Sequence, residues 1–375
     1  NWAHSERQRG LYVAMPTMAT SNQMHRRVAK ALRHRYGSNV VEPLLIHSQA
    51  RWIAATPPPD IVSDEEVDGA STRSMTWFLP RKRSLLTPFG VGTVDQSLIS
   101  VLQTRHFFVR LFGLSHKTVI FDEVHAYDTY MSVLFQRLLT WLRAVGASVV
   151  LLSATLPAQT RQELIQAYGG KDITPPEACY PAITWVANGL SGVASLSQAD
   201  SRVVMLDWVT RDPAAIVEQL RSALREGGCA AVICNTVNRS QEVYCAVSRA
   251  GLVAPEDLIL FHARTPFAWR DGIEKKVLAR FGKDGERPKR SIVIATQVIE
   301  QSLDLDFDVM ISDLAPVDLL IQRAGRLHRH ERSARPTPLT APRLTIAVDA
   351  GEEFPEFGND AYVYEPYILL HSLLA

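Results

Sequence analysis

Apolar positions along the chain gather in short runs separated by polar or glycine-containing stretches. In the first half, residues 11–15 form one run, closed by Pro16. Residues 118–121 form a second, which breaks abruptly into Asp122, Glu123, Val124 and His125, and residues 148–152 form a third that ends in Ser153, Ala154 and Thr155. Apolar runs of this length without alternation read as strands buried on both faces of a parallel sheet. Residues 24–36 and 130–145 carry helical spacing instead, and the Met, Leu, Phe and Trp of the latter read as core packing. Residues 17–22 read as a polar turn before the first helix, where hydroxyls and backbone amides form a ready phosphate cradle. Residues 88–96 read as a glycine-containing turn into a helix, and residues 48–83 as an insertion or mobile loop.

The second half repeats the rhythm. Residues 203–206, 230–234, 258–261, 291–295, 308–311 and 344–348 read as strands, with helical patterns at 213–225 and 240–250. Strands separated by helices argue for right-handed βαβ units and a second parallel sheet. The Pro-, Gly- and Ser-rich stretch 169–200 is the candidate boundary. The fold class is therefore α/β, with two tandem domains at residues 1–200 and 201–350, each a mainly parallel sheet flanked by helices.

Composition changes this picture little. At 375 residues the chain suits two domains, and 46% hydrophobic with 21% charged residues is a globular balance. Arg143 interrupts the longest apolar stretch, so no membrane span is expected, and a cytoplasmic location follows as the default. A net charge of +1 leaves polyanion contact to local clusters such as residues 81–83, 287–290 and the basic residues of the first helix, whose simplest reading is a solvated face. Cys179, Cys229, Cys234 and Cys245 lack Cys-x-x-Cys spacing and read as reduced structural thiols.

The chemistry sits where strands end. In an open α/β sheet the ligand crevice lies outside the carboxyl ends of the strands, so Asp122 and Glu123 are placed for a ligand. Asp122 is suited to hold a magnesium ion partly through water, and Glu123 to orient or deprotonate an attacking water. His125 would link that site to Ser153 and Thr155. In the second half Arg323 and Arg326 lie three apart on a helical turn, and a guanidinium fork meets the charge of a transferring phosphoryl group well. Such acids and arginines, if they converge, surround a terminal phosphate. Alone, Asp122 to His125 also fits a strand-end cap with a core histidine, and His328 with His330 lacks the companion ligands of a metal site.

Asp-Glu-Val-His at 122–125, Ser-Ala-Thr at 153–155 and Gln-Arg-Ala-Gly-Arg-Leu-His-Arg at 322–329 follow the motif order of superfamily 2 helicases. With residues 16–22, 89–96 and 295–304, nearly the whole chain resembles the helicase portion of the type I CRISPR-associated helicase-nuclease. The resemblance implies two RecA-like domains, ATP and Mg2+ as cofactors, and single-stranded DNA and a guide-RNA surveillance complex as partners of a monomeric protein. It implies backbone contacts to DNA from Thr17, Ser21, Asn22, Gly92, Thr93 and Asp95, and from Asn235, Thr236, His262 and Thr296. Asp304 and Gln322 would face nucleotide beside Arg323 and Arg326, and Glu300 and Gln301 read either as ordinary helix-start residues or, from their setting after Thr296, as reporters of DNA occupancy. The family translocates 3′ to 5′ and feeds DNA to a nuclease domain.

Some family features are missing from these residues. A Gly-x-x-x-x-Gly-Lys-Ser/Thr phosphate loop and an adjacent His-Asp pair are absent. The resemblance places the loop just upstream of Asn1 and makes residues 351–375 the start of a linker to a further domain. This stretch alone is then expected to hydrolyse ATP very slowly. Two other readings are another superfamily 2 DNA or RNA helicase and an ATP-independent nucleic-acid or partner-binding module.

Overall fold

The computed structural model describes residues 8–37, 42–47, 83–102, 104–127, 129–154, 156–177, 180–197, 202–283, 285–300, 303–332, 335–349 and 357–375. The chain divides into two compact units, Asn1–Ala199 and Asp200–Ala375. In the first, strands β1 (Leu11–Met15), β2 (Leu44–Ile46), β3 (Phe89–Thr93), β4 (Thr118–Phe121) and β5 (Ser148–Leu151) form a parallel sheet in the order β2-β3-β1-β4-β5. Tyr12, Ala14, Val119 and Phe121 pack there with Phe135, Leu138, Leu139 and Leu142 of the helix Thr129–Ala144. An antiparallel hairpin, β6 (Ala182–Ala187) with β7 (Leu190–Ser195), stands apart from that sheet.

The second unit holds β8 (Met205–Val209), β9 (Gly228–Ile233), β10 (Leu258–Phe261), β11 (Arg290–Ala295), β12 (Val309–Asp313) and β13 (Arg343–Ala347). They form one parallel sheet ordered β10-β11-β9-β12-β13-β8. Strand β9 is buried throughout, with Cys229, Ala231 and Ile233 in one core and Ala230 and Val232 in the other. That is why its sequence is a continuous apolar run rather than an alternation. Pro213–Ala223 and Val237–Ala250 cover one face, and Phe267–Phe281, Val317–Ala324 and Pro366–Leu374 the other. The last of these helices buries Leu369 beside the second sheet, in the stretch expected to begin a linker.

Several local expectations need correction. In the 88–96 stretch, Phe89–Thr93 is strand β3, held between β2 and β1, rather than a turn, and the expected helix follows at Val94–Leu98. The glycines of β3 serve close approach, because a Cβ on Gly92 would stand 2.2 Å from the Ile46 carbonyl oxygen. The polar turn at 17–22 is an N-cap followed by helix: the helix runs Met18–Tyr36, started by a capping box between Thr17 and Thr20. The boundary stretch 169–200 contains the β6–β7 hairpin, turned by Asn188-Gly189 with both φ angles positive. That dipeptide is a strong hairpin signal the apolar pattern hid. Strand β8 begins at Met205 rather than 203, and the three-residue β2 has too little pattern to be seen. The loop expected at 48–83 lies, except for Arg83, outside the described residues.

Among the described residues no helix is long and apolar enough to cross a membrane. Cys229, Cys234 and Cys245 are free thiols, and burial pushes Cys229 up to about 12. Cys179 lies outside the described residues.

Candidate functional site

The acid loop of the first unit hangs from the carboxyl ends of three strands. Asp122 N–H donates to the Ala14 carbonyl near the end of β1 (3.0 Å), Leu152 N–H to Phe121 O (2.9 Å) and Val124 N–H to Leu152 O (3.1 Å). Glu123 is held in the left-handed region at φ 55°, which costs a non-glycine residue about 1–2 kcal/mol. Its N–H donates to Asp122 Oδ1 at 3.1 Å. His125 Nε2 lies 3.4 Å from Glu123 Oε2, and His125 Nδ1 is hydrogen-bonded to Ser153 Oγ at 2.9 Å. Backbone strain at the residue carrying the second acid is the kind of feature found at functional sites. Thr155 lies outside the described residues.

Burial raises the Asp122 pKa, while the Glu123 N–H, His125 and Arg27 oppose the shift. Among the described residues no cluster of three or more His, Cys, Asp or Glu side chains forms a metal cage. One half-buried carboxylate fits magnesium all the same, since that ion is commonly held by one or two carboxylates, waters and substrate phosphates.

The remaining expected residues of this unit are used locally. Thr17 Oγ1 accepts from Thr20 N–H (3.3 Å), Ser21 Oγ donates to Thr17 O (2.8 Å), and Asn22 Oδ1 bonds His47 Nε2 (2.9 Å). The hydroxyls of the imagined phosphate cradle are thus spent on capping. Gly92 and Thr93 are buried, Asp95 is exposed, and Tyr12 Oη donates to Thr93 O at 3.0 Å. Tyr127, just past the acid loop, was not anticipated. Its hydroxyl is buried without a hydrogen-bond partner, a loss of about 1–3 kcal/mol.

In the second unit, the arginines and the strand-end residues form one network. Arg323 is fully buried in the helix Val317–Ala324 and its Nε donates to Glu300 Oε1 at 2.6 Å. Its Nη1 donates to Ser312 Oγ (2.7 Å) and Asp313 O (3.0 Å). Arg326 donates to the carbonyls of Leu303 and Glu300. Burial raises the Glu300 pKa and both arginines oppose the shift. Glu300 therefore anchors both arginines, which motif order alone did not reveal. The two do not project freely from one face as their spacing suggested. Arg329 is the exposed guanidinium of this stretch, 2.8 Å from Asp304 Oδ1, with His330 Nε2 at 3.3 Å from the same oxygen. Gln322 is half-buried in the same helix as Arg323, and Gln301 lies outside the described residues.

Of the expected DNA contacts here, Asn235, Thr296 and His262 are buried. Asn235 Nδ2 donates to Leu314 O (2.7 Å), and Gln297 Nε2 donates to Asn235 O (2.9 Å) and lies 3.3 Å from Tyr364 Oη. Thr236 caps the helix Val237–Ala250 through Arg239 N–H (3.2 Å), and His262 Nδ1 stands 3.4 Å from Thr265 Oγ1. Of the basic residues at 287–290, Lys289 is exposed as expected, whereas Arg287 and Arg290 are partly buried and paired. Arg287 Nη2 is 2.6 Å from Asp308, and Arg290 donates to the carbonyls of Leu252 and Arg225.

Two parallel α/β sheets in tandem, one ending in Asp-Glu-Val-His and the other backed by an arginine-bearing helix, define a RecA-like core of the superfamily 2 helicase class. Residues 226–332 match the family described as the C-terminal part of the CRISPR-associated nuclease/helicase Cas3. The chain is 40% identical to the CRISPR-associated endonuclease/helicase Cas3 of Thermus thermophilus, over 96% of this chain and 44% of that protein. It is 35% identical to that of Escherichia coli, over 94% of this chain and 40% of the other. The crystal structure of T. fusca Cas3-ATP superposes with a TM-score of 0.84 at 36% identity, covering 96% of this chain and 43% of that one. A chain of a CRISPR RNA-guided surveillance complex in a pre-nicking state superposes at 0.74 and 33%, covering 97% and 42%. This chain belongs to the type I CRISPR-associated helicase-nucleases and carries their superfamily 2 helicase portion. It spans less than half the length of the relatives it matches.

Proposed function

We propose that the chain is the ATP-driven motor core of a CRISPR interference effector, moving along single-stranded DNA and passing it to a nuclease domain. The observation that carries this reading is the acid loop. Glu123, held in a left-handed backbone beside Asp122 and 3.4 Å from His125, would orient and deprotonate a water. Asp122 would hold Mg2+, which when bound neutralises charge on the phosphates. Arg329, the exposed guanidinium, would meet phosphate oxygens, with Arg323 and Arg326 fixing the segment it rises from. His125 relays the state of the acid loop to Ser153, and Gly92 to Asp95, Thr17 and Thr236 offer backbone contacts to a strand without reading its bases.

The relatives' names and the surveillance-complex structure support recruitment by a guide-RNA complex. We infer also that these residues, having no Gly-Lys-Ser/Thr loop of their own, hydrolyse ATP slowly by themselves. The test is ATP hydrolysis by the full-length protein with single-stranded DNA, single-stranded RNA or neither, for wild type and Glu123→Gln. Stimulation by DNA, lost in Glu123→Gln by about 10²–10⁴-fold, supports the reading. Stronger stimulation by RNA points to a different superfamily 2 helicase. No stimulation, with DNA binding indifferent to Glu123→Gln, points to a binding module.

A further inference from the structure

Tyr127 follows the acid loop directly, and its ring is locked edge-on against Phe135 at 5.0 Å, which in turn packs against Phe121 at the end of β4. The ring therefore has a fixed place, yet its hydroxyl has no hydrogen-bond partner. A buried hydroxyl is normally paired, so one kept unpaired beside charged groups calls for a partner in another state of the protein. Two carboxylates influence it, Asp122 of the acid loop and Asp95 of the expected strand-contacting turn. The neighbouring Tyr12 already ties that turn to β1 through Thr93 O, and it too is influenced by Asp95 and Tyr127.

We propose that Tyr127 is a positioning residue that couples the Thr93–Asp95 turn to the hydrolytic acids, its hydroxyl donating to Asp95 when a nucleic-acid strand is bound. This deepens the motor reading and rests on it. The Asp95 carboxylate is exposed in the first turn of the helix Val94–Leu98. A phosphate backbone laid along the turn repels that carboxylate from solvent, and the unpaired phenol is the donor toward which it can turn. Burial, Asp122 and Asp95 all push the phenol pKa upward, so the group keeps its proton and remains a donor at neutral pH. Once formed, the bond tightens the segment that ends the acid loop, so strand occupancy reaches Glu123 and Asp122 by a route separate from His125 and Ser153.

The experiment uses the full-length protein carrying Tyr127→Phe, Asp95→Asn or both, with a single-stranded DNA oligonucleotide as the probe. Thermal midpoints are read without DNA, and ATP hydrolysis with and without it. Tyr127→Phe keeps the ring and deletes an unpaired hydroxyl, so the DNA-free midpoint is expected to hold or rise. Stimulation by DNA falls about tenfold, the scale of one hydrogen bond to a charged group. The double variant is expected to lose no more than the larger single loss. Tyr127→Phe with wild-type stimulation overturns the proposal, as do losses that simply add in the double variant. Absence of stimulation in the wild type counts against the motor reading itself, so the two failures are distinguishable.

Discussion

Glu300 and Arg323 form a buried ion pair in which one carboxylate oxygen, Oε1, lies 2.6 Å from Nε and 2.5 Å from Nη2, with neither side chain more than 4% exposed. Removing one partner from such a pair leaves an uncompensated charge, a loss of about 3–5 kcal/mol. Glu300→Ala should therefore lower stability by that order in urea unfolding. Glu300→Ala with Arg323→Met should recover part of the loss, because no lone charge remains buried. Equal losses in the single and double variants would show that the pair is not the source.

A second network gives a pH dependence. Asp306 is buried among Arg287, Arg332 and Arg335. Burial alone would raise its pKa, but hydrogen bonds from Arg335 and Arg332 outweigh it and hold the carboxyl below its ordinary 3.8. With the folded pKa below the unfolded one, this group's contribution is present above the unfolded value and is lost as pH falls through the folded one. Asp306→Asn should be less stable near neutrality by about 3–5 kcal/mol. Its stability should also fall less steeply than wild type below about pH 4. Parallel pH profiles for the two proteins would refute the assignment.

Gly90 and Gly92 face different neighbours along β3. A Cβ on Gly92 would meet the Ile46 carbonyl oxygen at 2.2 Å and Tyr12 Oη at 2.8 Å, whereas one on Gly90 meets the movable Ile46 Cδ1 at 2.9 Å. Gly92→Ala must push β2 away from β3, and overpacking of this kind costs about 1–3 kcal/mol. Gly90→Ala should cost clearly less. Thermal unfolding of the two variants decides, and a reversed order would contradict the register of β2 on β3.

His125 bridges Glu123 and Ser153, so its loss should separate hydrolysis from movement. In the full-length protein, His125→Ala is expected to reduce strand-displacement activity more than DNA-stimulated ATP hydrolysis, and Ser153→Ala should do the same more weakly. The double variant should be non-additive, as residues sharing one hydrogen bond are. Equal loss of both activities would remove the relay role.

Much of the architecture is legible in the pattern of residues, because a strand buried on both faces must be apolar throughout. Leu11–Met15 and Leu258–Phe261 have the predicted bounds, and the two parallel sheets follow from strands alternating with helices. The acids Asp122 and Glu123 stand out for a related reason: charged residues directly after a buried run have nowhere to go but the strand end. Sequence order alone also carries the family, since several motifs must appear in one succession. What it does not carry is where each polar side chain spends its hydrogen bonds. Arg323 and Arg326 look like free guanidinium groups three residues apart, and only tertiary packing turns them inward onto Glu300 and the Leu303 carbonyl. Gly92 looks like a turn glycine until Ile46, distant in sequence, is laid against it. The unpaired hydroxyl of Tyr127 likewise exists only once Phe135 has fixed its ring. Periodicity reports which side of an element is buried, whereas pairing depends on neighbours that long-range folding brings together.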